Sequence, residues 1–124
     1  MGKHVLLVED EANITEAIRF LLSREGWDVD THTDGATAVD KVRERRPDLL
    51  VLDYMLPGKS GLDILRELRA EPDYARLPIL MLTARGLKRD REEAERAGVS
   101  RFMTKPFSNL EVMTAVRDLV ELAR

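Results

Sequence analysis

Four short apolar runs recur along the chain, and each ends on a polar group. Val5-Leu6-Leu7-Val8 leads into Glu9-Asp10, Leu49-Leu50-Val51-Leu52 into Asp53, Ile79-Leu80-Met81-Leu82 into Thr83, and Phe102-Met103-Thr104 into Lys105-Pro106. Continuous apolar runs of this length, separated by helical patterns, read as strands of a parallel sheet buried on both faces. A further segment, Trp27 to Thr33, alternates in polarity and reads as a strand at the sheet edge.

The intervening segments carry helical spacing. Ile14, Ala17, Ile18, Leu21 and Leu22 stripe a first helix that stops at Gly26. After the Asp34-Gly35 turn, Ala36, Val39 and Val42 stripe a second, which ends before Pro47 because a proline ring cannot continue it. Ser60 caps a third helix with Leu62, Leu65 and Leu68 on its core face, and Glu71-Pro72 closes it. Between Gly86 and Gly98 the clear apolar contacts are only Leu87, Ala94 and Ala97, so the fourth helix should be weakly held. Ser108 and Glu111 form a capping box for a fifth, with Leu110, Met113, Val116, Val120 and Ala123 on its apolar side. Five strands alternating with five helices imply right-handed crossovers and an α/β, doubly wound parallel sheet.

Strands that run parallel bring their C-terminal ends to one edge, where open α/β sheets place their sites. Glu9, Asp10, Asp53, Thr83 and Lys105 would therefore meet in one crevice. Crowded carboxylates relieve their repulsion by holding a proton or a cation, and oxygen ligands with room for water suit Mg²⁺. No His or Cys lies in these turns to recruit zinc; His4 and His32 fall at other strand positions and read as surface or edge residues. Asp53, alone at the end of the most apolar strand, is the candidate nucleophile. A carboxylate that attacks phosphorus forms an acyl phosphate, whose oxygens Mg²⁺, the Lys105 ammonium and the Thr83 hydroxyl could neutralise.

Composition narrows the class. The 124 residues fit one domain spanning 1–124, and 44% apolar with 35% charged residues describe a globular chain with a heavily charged surface. Twenty basic against 23 acidic residues leave a net charge of −3, too balanced for direct nucleic-acid binding. With no cysteine, disulfides and thiolate metal sites are excluded. The apolar runs are too short to span a membrane, and a cytoplasmic location is the default expectation. Arg85, Lys88, Arg89, Arg91, Arg96 and Arg101 make one neighbourhood basic, read as a solvated helix laced by pairs such as Glu92 with Arg96.

With those residues in place, the chain resembles the receiver domains of two-component response regulators, over its whole length. Glu9-Asp10 resembles the family's acid pair, Asp53 its phosphoacceptor, Thr83 its switch hydroxyl and Lys105 its lysine; Asp53 to Gly61 is similar to its phosphorylation loop. Gly98 and Lys105-Pro106-Phe107 also sit where the family pattern places them. The resemblance implies a flavodoxin-like five-stranded sheet of order 2-1-3-4-5. It implies Mg²⁺ bound by Asp10, Asp53 and the Met55 backbone carbonyl, with Glu9 acting through water. The phosphoryl group would come from a histidine kinase or histidine phosphotransfer protein. The chain would then be a signalling phosphoacceptor that assists its own Mg²⁺-dependent phosphorylation and autodephosphorylation, not an enzyme acting on other molecules.

Phe102 matches the switch aromatic, the Lys105-Pro106 bond is expected cis, and the output face would be the fourth helix, fifth strand and fifth helix, acting on a downstream domain or protein. The resemblance places Met55 and Arg85 at positions that, in the family, tune how long the phosphoryl group survives. Ser100-Arg101 stands where many DNA-binding members have an acidic pair, which puts their dimer mode in question and leaves a monomer or a phosphorylation-dependent dimer. Three other readings fit less well. A phosphatase of the haloacid dehalogenase type needs a second acid where Met55 stands. A pseudo-receiver would not need the acids, Thr83 and Lys105 together. A flavodoxin-like nucleotide binder needs glycines where Glu9-Asp10-Glu11-Ala12 stand.

Overall fold

A computed structural model describes residues 3–84 and 86–122. Arg85 and Ala123, both named above, lie outside the described residues. Strands β1 (Lys3–Val8), β2 (Trp27–His32), β3 (Leu49–Asp53), β4 (Ile79–Thr83) and β5 (Arg101–Thr104) alternate with helices α1 (Ala12–Arg24), α2 (Ala38–Arg45), α3 (Gly61–Arg69), α4 (Lys88–Arg96) and α5 (Asn109–Leu122). Every strand pairing is parallel, and the sheet order is β2-β1-β3-β4-β5. This is the doubly wound α/β arrangement expected, with β2 at one edge.

The unbroken apolar runs follow from burial on both faces. Odd and even positions of each strand point to opposite sides. Leu6, Val8, Leu50, Leu52, Ile79 and Met81 pack with residues of α2, α3 and α4, whereas Val5, Leu7, Leu49, Val51, Leu80 and Leu82 pack with residues of α1 and α5. On the β2 edge, Asp28 is exposed and Asp30 half-buried, charges that discourage pairing with a further strand.

Several helix faces differ from the expected stripes. Ala17 and Ala36 are exposed, and Ala38 is buried in place of Ala36, because residues 35–37 form a short 3₁₀ turn before α2 starts. Leu87 is 45% exposed; α4 instead buries Asp90 and Ala94, so its apolar anchor is a single small residue. On α5 the buried residues are Val112, Ala115, Val116 and Leu119; Met113 and Val120 lie at the margin and Leu110 is 73% exposed. That helix has apolar residues over much of its circumference, so its period leaves the buried face open and the seat on β1, β3 and β4 decides it.

The end of β3 is tied to α3 by close packing. A Cβ added at Gly61 would run into the Asp53 carbonyl oxygen, and the Gly61 N–H donates to the Tyr54 carbonyl at 2.9 Å. Ser60 caps the helix, its Oγ accepting from the Asp63 N–H at 3.2 Å. Ser60→Ala should cost about 1 kcal/mol in urea denaturation. A loss indistinguishable from zero would show that the cap contributes nothing to the anchoring of α3.

Candidate functional site

Backbone bonds continue the parallel sheet past the C-terminal ends of its strands, linking β1 to β2, β3 to β4 and β4 to β5. Glu9 N–H donates to His32 O at 3.0 Å, Tyr54 N–H to Leu82 O at 2.7 Å, and Lys105 N–H to Thr83 O at 2.7 Å. These bonds fix the residues on either side of them. Glu9, Asp53 and Thr83 are buried, Asp10 is exposed, and Glu9, Asp10 and Asp53 each present an oxygen within 4.8 Å of the others.

Lys105 reaches across this acidic end of the sheet. Its Nζ lies 3.0 Å from Glu9 Oε1, 3.1 Å from Glu11 Oε1 and 3.3 Å from Asp53 Oδ2. The contacts to Glu11 and Asp53 are aligned hydrogen bonds. Toward Glu9 Oε1 the ammonium is close without that alignment, so among the described residues this buried oxygen has an ion-pair partner but no hydrogen-bond partner. The other Glu9 oxygen accepts from the Glu11 N–H at 3.1 Å. Burial, reinforced by the neighbouring Asp53 carboxyl, pushes the Glu9 pKa up to about 7. Desolvation pulls Lys105 down, but its contacts with the Glu9 and Glu11 carboxylates and the charge of Asp53 outweigh it and raise the pKa.

A buried carboxylate oxygen that lacks a hydrogen bond among the described residues, beside two further carboxylates, suits a hard divalent cation with oxygen ligands, and Mg²⁺ fits that donor set. The Met55 N–H donates to Asp53 Oδ1 at 3.3 Å, which turns the start of the following loop toward the carboxylate. The Met55 side chain is 54% exposed.

The residues singled out in the sequence thus divide in space. Glu9, Asp10, Asp53 and Lys105 form one cluster, and Thr83 is next to it as the last residue of β4, beside Asp53 at the end of β3. Phe102 lies away from the acids. It is buried in the core on the α2–α3–α4 side, and the Arg91 guanidinium sits 5.2 Å from its ring centre. The Lys105-Pro106 bond is cis. His4 and His32 are outside the cluster, with Nε2 atoms 2.7 Å from Asp30 Oδ2 and from Thr37 Oγ1 respectively. Glu11 was not anticipated. Its position one residue beyond the acid pair was visible, but only folding shows that its side chain reaches Lys105, 94 residues away in sequence.

The model of the response regulator receiver domain family matches residues 5–117. The phosphate regulon transcriptional regulatory protein PhoB of Rhizobium meliloti is 42% identical over 120 residues, which cover 97% of this chain and 53% of that protein. The chain spans about half the length of the curated relatives it matches. A putative response regulator from Chloroflexus aurantiacus superposes with a TM-score of 0.92 at 29% identity, covering 98% of this chain and 99% of that one. The receiver domain of the sensor histidine kinase PA1611 from Pseudomonas aeruginosa, solved with a magnesium ion in its active-site cleft, gives 0.88 at 33% identity, covering 98% and 99%.

Proposed function

The chain belongs to the response regulator receiver domain family, and from that membership we propose that residues 1–124 form one receiver domain that accepts a phosphoryl group on Asp53. The observation that carries this reading is the Asp53 carboxylate itself, buried at the end of β3 with a lysine ammonium 3.3 Å from Oδ2 and two further acids beside it. Such a carboxylate is directional, and the charge that develops on phosphorus has partners already in place.

In the proposed reaction an Asp53 oxygen forms a bond to phosphorus while the P–N bond to the donor's phosphohistidine breaks, and the released imidazole takes up a proton. The donor would be a histidine kinase or histidine phosphotransfer protein. Lys105 would supply positive charge to the phosphoryl oxygens, and the Thr83 hydroxyl would donate to another. Asp10, Asp53 and the Met55 backbone carbonyl would hold Mg²⁺, with Glu9 acting through water; the ion would supply charge neutralisation on a further phosphoryl oxygen. The acyl phosphate later hydrolyses to return Asp53 and inorganic phosphate.

The phosphoryl signal would pass through Thr83 and Phe102 to the α4–β5–α5 face, for α4 is held by little apolar burial and an element poised within a few kcal/mol can be shifted by one modification. Phe102 has no hydroxyl, so its part in the switch is steric. The output is a downstream domain or partner protein, and the receiver itself would touch neither nucleic acid nor membrane; among the described residues no helix is long and apolar enough to cross one. It would work in the cytoplasm, as a monomer or as a dimer formed on phosphorylation.

Intact-mass measurement after incubation with Mg²⁺ and acetyl phosphate tests this reading. One phosphoryl increment supports it; an unmodified mass with donor, metal and a competent histidine kinase all present overturns it. Lys105→Ala should still accept the phosphoryl group yet lose phosphorylation-dependent partner binding. If that variant binds a partner as well as the wild type when phosphorylated, the relay through Lys105 is wrong.

A further inference from the structure

Of the three carboxylates around Lys105, Glu9 and Asp53 belong to the proposed metal and phosphoryl site. Glu11 does not. It stands at the N-cap position of α1, where Ser, Thr, Asp or Asn would satisfy a free backbone N–H, yet its side chain makes no capping bond. Instead it reaches away from its helix, and Oε1 accepts a hydrogen bond from Lys105 Nζ at 3.1 Å. The pair is uneven: the Lys105 side chain is 9% exposed and that of Glu11 56%.

We propose that Glu11 is a positioning residue, an exposed counter-ion that holds part of the Lys105 ammonium in the unmodified protein and gives it up when a phosphoryl group arrives on Asp53. The inference rests on the proposed phosphoacceptor role of Asp53. The ammonium has three donors and already faces three carboxylates. A phosphoryl group brings additional acceptor oxygens to the Asp53 side, so Lys105 must release one partner to meet them. Glu9 is buried and would lose its nearest cation, an unfavourable exchange for a charge without water. Glu11 can exchange the ammonium for solvent at small cost. Because the Glu11 end of the competing pair is exposed to solvent, the pair is weak, and removing it should change phosphoryl affinity by about two- to fivefold rather than by orders of magnitude.

The test is a double-mutant cycle read by equilibrium binding of beryllofluoride, a phosphoryl analogue, in the presence of Mg²⁺. Glu11→Gln should bind about two- to fivefold tighter than wild type, Glu11→Asp should stay nearer to wild type, and in a Lys105→Ala background the Glu11→Gln gain should vanish. A gain of the same size in both backgrounds would mean that Glu11 merely repels the anion by its charge, and that result overturns the proposal. No gain at all also overturns it. Beryllofluoride binding by wild type that is no stronger than by Asp53→Asn would bring down the phosphoacceptor reading, and this inference with it. Glu11→Gln removes no cap and no buried group, so the variant should fold as the wild type does.

Discussion

Asp53→Asn should form no phosphoryl adduct under conditions in which the wild type becomes modified by acetyl phosphate and Mg²⁺. The amide keeps the shape of the side chain but removes the charge, and its oxygen is a far poorer nucleophile toward phosphorus than a carboxylate. No neighbouring acid is placed to take its role. Glu9 is held by the Glu11 N–H and Lys105, and Asp10 lies on the exposed rim rather than at the end of a buried strand. The wild-type adduct should be labile to hydroxylamine, as an acyl phosphate is, and intact mass before and after that treatment measures it. An adduct of equal occupancy on Asp53→Asn would move the acceptor to another residue and refute the assignment.

The metal-free protein should lose stability as pH rises from about 4.5 to about 7. The pKa of Glu9 is about 7 in the folded chain against an ordinary 4.5, so between those values the folded state keeps a proton that the unfolded state has released. This stabilisation is complete below 4.5 and is lost as pH passes through 7. A shift of this size corresponds to about 3 kcal/mol. Physically, the buried carboxylate must ionise beside Asp53, a cost that the Lys105 ammonium and the Glu11 N–H offset in part. Mg²⁺ held at these acids would favour the ionised form, so its stabilising effect should grow across the same window. Urea denaturation at several pH values, with and without Mg²⁺, measures both slopes. Glu9→Gln should flatten the metal-free profile; an unchanged slope in that variant would show that another group is responsible.

The contrast between Asp53 and Glu11 shows how far the pattern of residues reaches. Asp53 could be read because a buried parallel strand has a continuous apolar signature, and the residue that ends it must lie at the sheet's C-terminal edge. Glu9, Thr83 and Lys105 follow by the same rule. Glu11 could not be read, since its importance comes from a side chain bridging to the far end of the chain rather than from a place in a repeating pattern. The same limit applies to α5, where Leu110 looked like a core residue and is exposed while Leu119 is buried. Its apolar residues allow more than one face, and only docking on the sheet selects among them. Phe102 could be placed on its strand, but not against the Arg91 guanidinium, which approaches it from the separate helix α4.

Local patterning along the chain was enough to set the number and order of the strands and helices, their α/β alternation, and the gathering of acids, hydroxyl and lysine at one edge. These depend on local periodicity and on the handedness of crossovers, which act within short stretches of chain. The tertiary structure alone decided which helix faces are buried, how far burial shifts Glu9, and which three carboxylates share one ammonium. Those properties depend on distances of a few ångströms between residues remote in sequence, where electrostatic and packing energies change steeply.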